Sequence, residues 1–217
     1  MAASLEFSPA VREGRLPEIE FSNLPSYLTP YVEARRRHKS GVRSLLWEDL
    51  RAQEVRFAAI LRNCPLGGLH VLDVGCGRGD LLRYLETRDV LPARYTGIEA
   101  HGAGPFRPLK RRTPSSILEA DFVDTKDALL VGADAVVFSG SLNLLSSRQF
   151  FGVLDAAWAA TSQWLVFNFL DSPALAGAAW LKWHHRGRVL GFAERFARFV
   201  VMDHTYEDGD CTVVMRK

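Results

Sequence analysis

A chain of 217 residues with a formal net charge of +2, 47% of it hydrophobic and 24% charged, is long enough to enclose a full core and is ordinary for a soluble folded protein. That balance excludes a disordered or fibrous chain and does not by itself imply a polyanionic partner. The cysteines Cys64, Cys76 and Cys211 follow no paired spacing, so neither a disulfide framework nor a metal cluster is expected. With no signal-like N-terminus and no apolar run of about 18 residues, the expectation is a cytoplasmic protein that does not enter membranes, a monomer or weak homodimer.

Residues 1 to about 40 hold Pro9, Pro17, Pro25 and Pro30 and no sustained period, which predicts an irregular arm with a short helix over 31–37. Ser44 is then placed to cap a helix with Glu48 and Asp49 in its first turn and Leu46, Leu50, Phe57 and Leu61 on one face, ending at Pro65. Gln53 interrupts that stripe. Either it is an edge amide bonded to backbone, or the helix lies over a cleft and Gln53 faces a polar ligand with Arg56 one turn on. Residues 1–66 are thus expected as an arm and helical cap, and 67–217 as the main domain.

Beyond it, apolar runs at 69–74, 93–98, 116–119, 133–139 and 163–169 alternate with helical patterns at 79–87, 106–111, 146–160 and 173–184. This alternation predicts βαβ units and a mostly parallel sheet covered on both faces. A helix at 188–195 and two strands, 197–206 and 211–216, joined by the turn residues Glu207, Asp208, Gly209 and Asp210, complete the chain with an antiparallel hairpin. The fold class is α/β, a Rossmann-like three-layer sandwich with seven strands.

The segment from His70 to Leu85, HVLDVGCGRGDLLRYL, carries the chemistry. A strand ends in Asp73, and Gly75, Gly77 and Gly79 follow at alternate positions before a helix. Such a loop lets the backbone approach a ligand closely. A dinucleotide loop would want a third glycine at position 80, which is Asp80, and Asp73 would repel a pyrophosphate. Glu99, at the tip of the next strand, is placed to accept the hydroxyls of a ribose. Together they describe a nucleoside with a cationic, non-phosphate tail, as in S-adenosylmethionine (SAM); the bland alternatives are a tight turn without ligand or another nucleotide.

Asp73-Gly75-Gly77-Gly79, Glu99 and Ala120-Asp121-Phe122 resemble the class I SAM-dependent methyltransferases over roughly residues 45–217. The resemblance implies SAM as cofactor and S-adenosylhomocysteine (SAH) as product. It implies that the loop, Cys76 included, meets the methionine end, Glu99 the ribose, and Asp121 and Phe122 the adenine, with Gln53 and Ser139 as further contacts. Ser139-Gly140-Ser141-Leu142-Asn143, taken with residues 53–57 and Asp203-His204, also resembles a bacterial group of small enzymes of this class.

No (D/N/S)-P-P-(Y/F) tetrapeptide follows the fourth strand and there is no Pro-Cys nucleophile, so a small-molecule acceptor is expected and nucleic acid is not. The rivals are a SAM-binding protein without transferase activity and an RNA or protein methyltransferase, the latter suggested by the basic runs 35–39 and 107–112. Ser139 and Asn143 are the acceptor-side candidates, accompanied by Asn168, Asp171, Tyr31 and Trp47. His184 and His185 are expected at a solvated helix end, His204 as structural, and His101 as an adenosine neighbour.

Overall fold

The computed structural model describes residues 24–100 and 112–217; the predicted helix at 106–111 and His101 lie outside them. Five apolar runs form parallel strands, β1 (His70–Val74), β2 (Arg94–Glu99), β3 (Ser115–Glu119), β4 (Ala135–Phe138) and β5 (Trp164–Leu170). β6 (Phe199–Asp203) and β7 (Asp210–Arg216) add the antiparallel hairpin, giving the sheet order β3-β2-β1-β4-β5-β7-β6. Each predicted strand is present with its ends displaced by a few residues. The central strands β4 and β5 are buried at every position, as strands covered on both faces must be.

Successive side chains on a strand point to opposite faces, and this splits the core in two. Leu72 and Val74 join Phe138 and Phe167 against Phe150 of α4 (Ser147–Ala160) and Val189 of α5 (Arg186–Phe196). Val71, Tyr95, Val137 and Val166 join Phe57 and Ile60 of α2 (Leu50–Asn63) and Leu81 and Leu85 of α3 (Asp80–Glu86). The result is a three-layer α/β/α sandwich. Because β2 lies on one side of β1 and β4 on the other, the strand order reverses between β1 and β4, and a crevice opens beyond their carboxyl ends.

Two helices differ from expectation. Ser44 does not cap α2: its hydroxyl donates to the carbonyl of Gly41 at 2.7 Å inside a short 3₁₀ turn, Val42–Leu45. Leu46 then turns into the left-handed region, φ 64°, and Asp49 caps α2 by accepting from the Ala52 amide at 2.8 Å. The inward face of α2 therefore starts later and carries Gln53, Arg56, Phe57 and Ile60, while Leu50 is 50% exposed. The predicted helix at 173–184 is absent. Its backbone is spent elsewhere, with Lys182 N donating to Asn143 O at 2.7 Å and His184 N to Leu170 O at 2.9 Å, so the segment drapes over the sheet edge. His184 is accordingly buried, its ring 4.0 Å from that of Phe150, and burial pushes its pKa down to about 4. α1 (Thr29–His38) matches the short helix expected in the arm.

α2 is fastened to the hairpin by a buried ion pair. Arg56 donates to Asp210, which is fully buried, and Asp210 also accepts from the Tyr206 hydroxyl. Removing one partner of such a pair leaves the other charge uncompensated in the interior, at a cost of about 3–5 kcal/mol. Asp210→Ala is therefore expected to lose that much in urea unfolding, and Arg56→Met combined with Asp210→Leu to recover most of it. A loss below about 1 kcal/mol in the single variant would mean that α2 is held by its apolar contacts alone.

Candidate active site

At the end of β1 the chain makes its close turn. The amides of Gly75 and Cys76 both donate to the carbonyl of Ile98, at 2.8 and 3.0 Å, tying the loop to β2. Gly75 has φ +75°, and a Cβ there would lie 2.3 Å from that of Ser141. Gly77 has φ +56° and would meet Leu45 at 2.8 Å. At Gly79, φ 74°, the chain turns into α3. A side chain is excluded at Gly75 by contact, would have to displace the end of Leu45 at Gly77, and is disfavoured at all three positions by conformation.

Over this loop lies a cavity of about 700 Å³, within the ordinary range for a small-molecule site. Of the residues expected at the cofactor, Gln53, Asp73, Gly75, Cys76, Gly77, Glu99, Asp121, Phe122 and Ser139 all line it, as do Asn143, Tyr31 and Trp47 from the acceptor side. Gly79 does not line the cavity. It sits one turn back as the residue before α3, donating from its amide to the Cys76 carbonyl at 2.9 Å, so its part is to aim the helix.

Asn168 and Asp171 are also absent from the walls. Asn168 is fully buried and donates to Thr212, its cross-strand partner on β7, which corrects the expectation of a pocket residue. Asp171 lies 2.8 Å from Arg186 Nε. His204 is exposed beyond β6, far from any role in the cavity. Cys76 contributes backbone rather than chemistry: its sulfur fills the space beside Gly97, where a Cβ would come within 2.5 Å, and burial pushes its thiol pKa far up.

The carboxylates at the loop are satisfied unequally. Glu99 accepts from the Gly77 amide at 2.7 Å and lies 3.6 Å from Arg35 of α1. Asp80 pairs with Arg83 at 2.7 Å and accepts from the Gln53 amide at 3.4 Å. Asp121 accepts from the Tyr27 hydroxyl at 2.6 Å and from the Val123 amide at 2.9 Å. Among the described residues Asp73 has one side-chain partner, the hydroxyl of Tyr95, and no cation. Burial pushes its carboxyl up to about 7, opposed by that hydroxyl and assisted by Glu99 and Asp80.

Three buried polar atoms in the cavity walls have no hydrogen-bond partner among the described residues: Gln53 Oε1, Ser139 Oγ and Asn143 Oδ1. For Gln53 the assignment is physically fixed, since its nitrogen must face the acceptor-only Asp80. The interrupted stripe is thus a glutamine over a cleft. Tyr27, Arg35, Asp80 and Trp180 were not singled out as contacts from the sequence. Tyr27 and Arg35 come from an arm without period, and Trp180 from a segment that reads falsely as helix. Among the described residues no group of His, Cys, Asp and Glu converges as a metal site, and no helix is long and apolar enough to cross a membrane.

No family model matches the sequence, and no curated protein matches it. Solved structures do match. Magnesium protoporphyrin IX methyltransferase (ChlM) from Synechocystis PCC 6803 with bound SAH aligns over 88% of this chain and 96% of its own, with TM-score 0.63 at 14% identity. The DhpI–SAH complex aligns over 88% and 94%, also with TM-score 0.63 at 14% identity. The small RNA methyltransferase HEN1 aligns over 76% of this chain and 25% of its own, with TM-score 0.60 at 12% identity. The chain has the class I SAM-dependent methyltransferase fold.

One wall of the cavity depends on a single glycine. Gly140, φ +75°, admits the indole of Trp47 so closely that a Cβ would lie 2.7 Å from the ring. Gly140→Ala is expected to cost about 1–3 kcal/mol in chemical unfolding, combining left-handed strain with the clash. It should also expel Trp47 and shift tryptophan emission to longer wavelength. Unchanged emission and stability would show that the contact carries no weight.

Proposed function

We propose that the protein transfers a methyl group from SAM to a small-molecule acceptor, with residues 1–66 acting as a cap over the acceptor. The observation that carries this is Asp73, a 97% buried carboxylate facing a ligand-sized cavity with a hydroxyl partner and no cation (3% exposed). A buried carboxylate is costly unless paired, and a ligand with a positive charge supplies the missing partner. A pyrophosphate would instead meet Asp73, Asp80 and Glu99 together.

The residues present fit SAM. The glycine cradle would take its methionine end beside Asp73, with the free oxygen of Gln53 and the hydroxyl of Ser139 as further hydrogen-bonding groups. Glu99 would hold the ribose, exchanging its contact with Arg35 for the diol. Asp121, oriented by Tyr27, and Phe122 would flank the adenine. Bound SAM supplies a methyl group already activated by its sulfonium centre. The protein's task is then alignment and the exclusion of water, which the roof of Leu45, Trp47 and α2 performs. A general base is optional, and the sequence leaves open whether oxygen, nitrogen or carbon accepts the methyl group.

The likeness to HEN1 raises an RNA acceptor as a second reading. The mouth argues for the first: Glu33, Glu48 and Glu207 stand among Arg37, Arg43 and Arg51, whereas a channel for a nucleic acid backbone is dominated by positive charge.

The test is calorimetric titration with SAM across pH. In the free protein Asp73 ionises near pH 7, and a cationic ligand needs the ionised form. Affinity should therefore rise about ten-fold from about pH 6 to about pH 8 and then level off. Asp73→Asn should bind weakly and without that slope, and Glu99→Ala should lose binding. Undiminished affinity in both variants would remove SAM from the site, and salt-sensitive transfer of label to RNA would move the acceptor to nucleic acid.

A further inference from the structure

Part of the cavity is walled by segments other than the glycine loop, and their chemistry is different. One wall is Trp47, held against Gly140 with the Arg56 guanidinium 4.8 Å from its ring centroid. The opposite wall comes from the draped segment after β5, which brings Leu175, Trp180 and Leu181 to the cavity with Leu144 beneath. That segment is held in place at both sides, by the Lys182 amide on the Asn143 carbonyl and by the His184 amide on the Leu170 carbonyl. Trp180 is 37% exposed although it lines a cavity, so an indole is offered to whatever enters.

Two arginines at these walls are already paired. Arg56 is paired with Asp210, and Arg51 with Glu207 at 3.2 Å. What is left polar and unpaired is Asn143 Oδ1, on a residue that is 7% exposed. An anionic ligand would find both of these arginines already paired, and burying it against them would be costly. A flat apolar ring can cover indole and leucine surface, and one O–H or N–H on that ring would satisfy Asn143.

We infer that this end of the cavity is a subsite for an uncharged, planar aromatic molecule carrying its own O–H or N–H donor. The inference deepens the methyl-transfer reading and rests on it for calling that molecule the acceptor. Asn143 receives the donor hydrogen, and Trp47 and Trp180 select for the ring. The Lys182 ammonium, next to Asn143 in the chain's fold, is turned onto the Ala179 carbonyl at 3.2 Å, and among the described residues His38 is the one histidine lining the cavity, so the site favours a group that sheds its proton to water unaided, as phenols do.

The probe is 2-naphthol, titrated calorimetrically into the protein alone and into protein saturated with SAH. 2-Naphthoate, with the same ring and a negative charge, and cyclohexanol, with a donor and no flat ring, serve as comparisons. 2-Naphthol should bind in both states, at least about ten-fold more tightly than either comparison. Asn143→Leu should weaken it about ten-fold, the worth of one buried hydrogen bond, and Trp180→Ala, which alters a partly exposed side chain, should weaken it at least as much while keeping the circular dichroism of the parent. SAH binding without 2-naphthol binding, or 2-naphthoate binding as tightly as 2-naphthol, would overturn the subsite and leave the cofactor reading intact. A protein that binds 2-naphthol but shows no affinity for SAH or SAM would do the reverse.

Discussion

The arrangement of the cavity depends on the buried pair between Arg56 and Asp210. α2 reaches the sheet with an inward face that is half polar, and a helix with such a face does not dock on hydrophobic contact alone. Asp210 gives it a fixed counter-charge at the start of β7, and the network runs on through Tyr206 and Thr212 to Asn168. Burial holds the Asp210 carboxyl above its ordinary range even against the pull of Arg56, so the pair contributes position more than stability. One turn before Arg56 the same helix sets Gln53 over Asp80, and Arg56 itself stands over Trp47. The roof and one acceptor wall therefore inherit their placement from this contact.

The loop end of the cavity is organised by repulsion. Asp80 and Glu99 both raise the cost of ionising Asp73, and the protein neutralises these two, with Arg83 at Asp80 and a backbone amide together with Arg35 at Glu99. Asp73 is left with a neutral hydroxyl. Burial, assisted by Glu99 and Asp80, pushes its carboxyl up to about 7 against the pull of that hydroxyl, which stabilises the ionised form less than a cation would. An unbalanced negative charge at the centre of an otherwise balanced cluster is a worse neighbour for a phosphate than for a cation.

How far the chain could be read in advance follows from which residues obey a period. The sheet, its order of helices and strands, and the loop with Glu99 and Asp121 were legible because parallel strands are short apolar runs and because three glycines at positive φ leave a visible spacing. The start of α2 was misplaced because Ser44 and Asp49 are both good caps, and only the left-handed Leu46 between them decides which one acts. The false helix at 173–184 has apolar residues at helical spacing, yet its amides are claimed by Asn143 and Leu170, contacts across distant sequence that no local pattern encodes. His184 was misjudged with it.

The two ends of the cavity differ in the same respect. The loop end is built from strand tips and one turn, where backbone conformation restricts the residue types, so chemistry and spacing coincide. The other end is built from the segment before α2 and the segment after β5, neither of which forms an α-helix or a strand around Trp47 or Trp180, and its walls are held by single long-range bonds. Those two segments can change their side chains without disturbing a strand or the glycine loop, since what fastens them are main-chain amides and one ion pair. A shared fold at 14% identity to proteins such as ChlM and DhpI is compatible with a different acceptor in each, because the residues that would choose the acceptor lie outside the part that the fold constrains.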